Sequence, residues 1–124
     1  MNIIIKTIPH REQRYPTVGD WWFDCVEGEL TLHIRVSELG DWRKEALIAY
    51  HEFKEAVLCR SRGITAAAVD AFDRGSIGRA LDEPGESPLA PYHLEHMSAY
   101  ASELGLMVEL GVSFAEYSAA IDAL

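Results

Sequence analysis

The sequence predicts an α+β fold: a small antiparallel sheet of about three strands packed on a long central helix, followed by two or three further helices. Three observations carry this expectation. Residues 29–37 alternate between apolar and polar side chains with the two-residue period of a half-buried strand, residues 41–62 form an uninterrupted helix-compatible run, and residues beyond 63 return to three- and four-residue spacing. The order is therefore strands first and helices after. With 124 residues, 48% of them hydrophobic and 25% charged, the chain has room for a single core. One domain over 1–124 is expected, with strands and a hairpin in 1–40, the central helix in 41–62, and a helical part in 63–124 interrupted by a loop at 74–90.

The first strand is read from the isoleucine-rich segment 2–8, closed by Pro9, which has no N–H to give to a ladder. Residues 10–19 are polar and hold Pro16 and Gly19, as a connection does. The aromatic segment Trp21, Trp22, Phe23 then leads through Glu27 and Gly28 into the alternating strand, where Leu30, Leu32, Ile34 and Val36 share one side. Asp41 is the expected N-cap of the central helix. That helix is apolar on two sides, with Leu47, Ile48 and Leu58 on one and Ala49, Phe53, Ala56 and Val57 on the other, so it is expected to lie between two layers. Gly63 suits the residue just past its end. Thr65 is read as the cap of a short helix to about Asp73, Pro91 as the start of a helix to about Leu110 with His93, Met97, Tyr100, Leu104 and Met107 on its inner face, and Ser113 as the cap of a last helix.

A net charge of -9 without any Lys/Arg cluster excludes recognition of nucleic acid through phosphate neutralisation. The three isoleucines before Lys6 are too short a run for a signal peptide or a membrane span. Cys25 and Cys59, far apart in different apolar surroundings, read as free buried thiols of a reducing compartment, and a cytoplasmic protein without nucleic-acid or membrane partners is expected.

The chemistry concentrates in the central helix. His51 and Glu55 stand four residues apart, so they project from one face a turn apart, within about 60° of Leu47, Ile48 and Leu58 on a helical wheel. An ionisable pair on an apolar stripe is costly unless hydrogen bonds, a counter-charge or a metal ion satisfies it. Downstream, His93 and His96 offer two further imidazoles on the inner side of a later helix. Histidine nitrogen and carboxylate oxygen are the donors that zinc or another divalent transition metal accepts. The plainer reading is a local i, i+4 contact between His51 and Glu55, with both later histidines partly exposed.

The His51-Glu52-x-x-Glu55 helix after a small sheet, followed by a helix with inward histidines, resembles the minimal zincin metalloprotease core. It is also similar to a group of small uncharacterised bacteriophage and prophage proteins that carry the same helix before a Pro-Tyr-x-x-Glu-His segment, here Pro91, Tyr92, Glu95 and His96. The resemblance implies that His51 is a metal ligand, that Glu52 is a general base towards water, and that Glu55 stands where the zincin pattern has its second histidine. Glu55 in that place makes the site more anionic and weakens its Lewis acidity. His96 is the first choice for the third ligand and His93 the second. As a function, the resemblance implies a metal-dependent hydrolase of peptide bonds in a bacterial host's cytoplasm, with an extended peptide held along Glu29–Ser37 by strand addition.

Two other functions fit the sequence. The same scaffold could serve as an inactive phage-type accessory or interaction protein that holds no metal. Alternatively, Glu52, Glu55, Asp70 and Asp73 resemble the paired carboxylates with which all-α NTP pyrophosphatases hold magnesium against a triphosphate, although the N-terminal strand pattern opposes a helical bundle.

Overall fold

A computed structural model describes all residues, Met1–Leu124. The architecture is α+β. Three strands, β1 (Asn2–Ile8), β2 (Gly19–Val26) and β3 (Glu29–Ser37), precede four helices, α1 (Trp42–Ser61), α2 (Ala66–Asp73), α3 (His93–Glu109) and α4 (Phe114–Asp122). No single helix is long and apolar enough to cross a membrane.

The sheet is mixed rather than antiparallel, which corrects the expected topology. Its strand order is β1-β3-β2: β2 and β3 form the hairpin, and β1 runs parallel to β3 from Asn2 opposite Thr31 to Ile8 opposite Ser37. The hairpin turns on Glu27 and Gly28, both at positive φ, as a two-residue connection between twisted strands requires. Because β3 is the middle strand, both of its edges are already paired. An added peptide strand along Glu29–Ser37 is therefore ruled out, and the free edges belong to β1 and β2.

Alternation in β3 does what its period dictates: Leu32, Ile34 and Val36 are fully buried on the face covered by α1. Leu47, Ile48, Ala56 and Cys59 of α1 join them in one core with Trp21, Tyr92, Met107 and Tyr117. The other side of α1 packs on α3, so the central helix does lie between two layers. On the open face of the sheet Trp22 stacks on His33 at 5.0 Å, with the guanidinium groups of Arg14 and Arg35 beside the indole.

The caps are as the sequence implies. Asp41 accepts from the Arg43 N–H, Thr65 from the Ala68 N–H and Ser113 from the Glu116 N–H, each meeting a donor that the first helical turn leaves unpaired. Segment 74–90 is more ordered than a plain loop, since it contains 3₁₀ turns at Gly78–Ala80 and Pro84–Glu86. Both cysteines are free, but only Cys59 is buried, where burial and the nearby Glu55 push its thiol up to about 12; Cys25 is exposed near the hairpin turn.

Candidate metal centre

α1 delivers His51 and Glu55 from adjacent turns of one face, and α3, packed across it, delivers His96 to the same point. His51 Nε2 lies 3.2 Å from Glu55 Oε2 and 3.2 Å from His96 Nδ1, and the last two atoms are 2.9 Å apart. All three residues are buried. Four donors placed tetrahedrally about 2.0–2.1 Å from a zinc ion are separated from one another by about 3.3 Å, so this near-equilateral triangle has the dimensions of one face of such a polyhedron. His51, Glu55 and His96 thus form a buried group that could hold a metal ion.

The second nitrogen of His51 and the second oxygen of Glu55 are also fixed. His51 Nδ1–H donates to Glu103 Oε2 at 2.7 Å, and Glu103 Oε1 accepts in turn from the Tyr117 hydroxyl at 2.5 Å. Trp21 Nε1–H donates to Glu55 Oε1 at 2.9 Å, leaving Oε2 for the cluster. With Nδ1 committed to a carboxylate, His51 is oriented to present Nε2, the arrangement that fixes ring and tautomer in carboxylate–histidine–metal sites.

In the metal-free protein these contacts set the protonation states. Burial opposes the His51 imidazolium, yet its hydrogen bonds to the Glu103 and Glu55 carboxylates outweigh it and raise the imidazole to about 11. Burial likewise opposes the Glu55 carboxylate, but His51 and His96 hold it down at about 2. Glu52 is pushed well above the ordinary carboxyl range by burial and by the adjacent Glu55 charge.

No protein-family model matches this chain, and neither curated proteins nor solved structures show significant similarity to it. Its chemistry has to be read from the site.

The structure separates the two candidates for the third donor. His96 is in the cluster, whereas His93 turns its Nδ1–H to the Gly85 carbonyl at 2.9 Å and belongs to the loop above. That loop closes tightly on the cluster: a Cβ at Gly85 would overlap the His96 ring, so only glycine admits this approach. Glu52 points towards β2, where a Cβ at Gly19 would collide with its carboxylate. It lines the same cavity of about 280 Å³ as His51, Glu55 and His96.

Asp70 and Asp73, the other two residues of the magnesium reading, border this cavity too, but each is already engaged. Asp70 accepts from Arg14 at 3.0 Å, and Asp73 accepts from the hydroxyls of Tyr15 and Tyr92. Glu55 is taken up by the histidines, and a three-stranded sheet is present. An all-helical pyrophosphatase fold is therefore excluded.

Glu103 and Tyr117 are not legible as site residues in the sequence. A signal exists for Glu103: it lies seven residues after His96, two helical turns along the same face. The buried stripe of α3 runs through His96, Ala99, Glu103 and Met107, turned by roughly 100° from the face that Met97 and Leu104 suggest.

Proposed function

We propose that this chain is a zincin-like metal-binding protein that hydrolyses peptide bonds. The observation that carries the reading is the triangle of His51 Nε2, Glu55 Oε2 and His96 Nδ1, with Glu103 behind His51. Two imidazoles and a carboxylate are a donor set suited to zinc, and three protein donors leave a fourth position open. An ion held there would supply Lewis acidity to an oxygen placed at that position.

The remaining work falls to the chain's own groups. Glu52 borders the cavity beside the donors and has no basic partner within salt-bridge distance, so its carboxylate is free to take a proton from attacking water and return it to the leaving amine nitrogen. For the peptide, the outer edge of β2 takes the place expected of β3, because Gly19, Asp20 and Trp21 line the cavity and that edge has no neighbouring strand.

The test is hydrolysis of a peptide library by zinc-loaded protein alongside its Glu52→Gln variant. The variant should retain zinc and lose cleavage by a factor of about 10² or more. Equal cleavage by both would remove Glu52 from the chemistry, and zinc uptake without any cleavage would favour the inactive accessory protein.

A further inference from the structure

The cavity over the candidate metal centre has predominantly acidic walls, with the His51 imidazolium at the floor. No lysine or arginine lines it, although aspartate and glutamate side chains contribute from β2, α1, α2, the 74–90 segment, α3 and α4. Several of these are neutralised or held. Arg14 forks onto Asp20 at 2.7 and 2.8 Å and reaches Asp70, two tyrosines serve Asp73, and the histidines take Glu55 and Glu103. Asp82, Glu83, Glu86 and Asp122 remain, and none of them meets a cationic side chain within 4.0 Å. A divalent ion on the three donors would offset only part of that charge.

Aromatic rings stand among the free carboxylates. Tyr100, Phe114 and Tyr117 line the same space, and Phe114 is 54% exposed although its ring is large and apolar. Carboxylates paired with aromatic faces suit a flexible apolar stem that ends in a cation, since the stem covers the rings while the head reaches the acids. A phosphate or a peptide's own carboxylate would meet like charge from Asp82, Glu83, Glu86 and Asp122.

We propose that this cavity recognises its substrate through a cationic nitrogen group, the side chain of a lysine or arginine in the peptide. The inference rests on the peptide-hydrolase reading for the peptide, and on the cavity walls for the charge. Asp82, Glu83 and Glu86, exposed on the segment above His96, form the outer part of the cation path.

The test is calorimetric binding of a blocked Ala-Ala-Arg-Ala-Ala peptide, its citrulline isostere, a Glu-centred peptide and spermidine, to zinc-treated and to metal-free protein. The arginine peptide should bind at least about tenfold tighter than the citrulline one, and the difference should shrink as salt is raised. Combined Asp82→Asn, Glu83→Gln and Glu86→Gln changes, all outside the hydrophobic core, should abolish most of that preference. Spermidine binding as tightly as the arginine peptide would support the cation while assigning it to a free amine. Equal affinity for arginine and citrulline peptides, a preference for the Glu-centred peptide, or no binding at all would overturn the proposal. A charge preference in protein that takes up no zinc would defeat the metal reading and leave this one standing; zinc uptake without charge preference would do the reverse.

Discussion

At the scale of single residues, the centre depends on how His51 is held. Its Nδ1–H is committed to Glu103, so the state of Nε2 is decided by whatever competes for it: the Glu55 carboxylate in metal-free protein, an ion otherwise. Replacing Glu103 with Gln removes the charge behind the ring. We expect the His51 pKa, followed by NMR of the metal-free protein, to fall from about 11 towards its ordinary range, and zinc affinity to drop by about 10- to 100-fold. The signs of the pH dependence come from the same shifts. His51 binds its proton more tightly folded than unfolded, so its contribution is complete below about 6.5 and is lost as pH rises towards about 11. Glu55 behaves oppositely: its contribution is complete above about 4.5 and is lost as pH falls towards about 2. The raised Glu52 carboxyl adds to the loss on the alkaline side. Metal-free protein should therefore melt highest in mildly acidic buffer, and urea denaturation across pH measures this; a maximum above pH 8 would contradict the assigned pairing. Gly19 offers a separate check. In Gly19→Ala the flexible end of Glu52 must move, so cleavage should fall while the melting temperature changes little.

At the scale of elements, the centre is a product of two helices and the parts that clamp them. α1 supplies His51, Glu52 and Glu55, α3 supplies His96 and Glu103, and α4 adds Tyr117 behind Glu103. Ser113 caps α4, so Ser113→Ala should cost about 1 kcal/mol in urea denaturation. The segment carrying Gly85 is pressed on the His96 ring, and Gly85→Ala should cost about 1–3 kcal/mol through overpacking and weaken zinc uptake with it. Much of this is readable from the sequence. Period-two alternation in Glu29–Ser37 and the side chains of Asp41, Thr65 and Ser113 announce β3 and the starts of α1, α2 and α4, because these signals act within a few residues of chain. His51, Glu55 and His96 are legible because ionisable groups stand on apolar faces. The parallel pairing of β1 is not, since it joins strands that are not consecutive and no local pattern encodes the neighbour across a ladder. Glu103 escapes for a related reason: the buried face of α3 includes ionisable residues, so counting its apolar residues places that face too far round the helix.

At the scale of the whole molecule, a small sheet and a helical layer share α1, and the centre lies where α1 meets α3 with the core of β3 and α1 on its other side. The cost of burying two histidines and two carboxylates there is met by their mutual hydrogen bonds, and it would be met more fully by an ion that took the place of a proton. Uptake of zinc should consequently release protons and raise the melting temperature, an effect that calorimetry in two buffers of different ionisation enthalpy would quantify. The most direct measurement is elemental analysis of protein purified without a histidine tag and dialysed against zinc. About one equivalent should remain bound in the native chain and in His93→Ala, and be lost in His96→Ala; less than about a tenth of an equivalent in the native chain would contradict the metal centre.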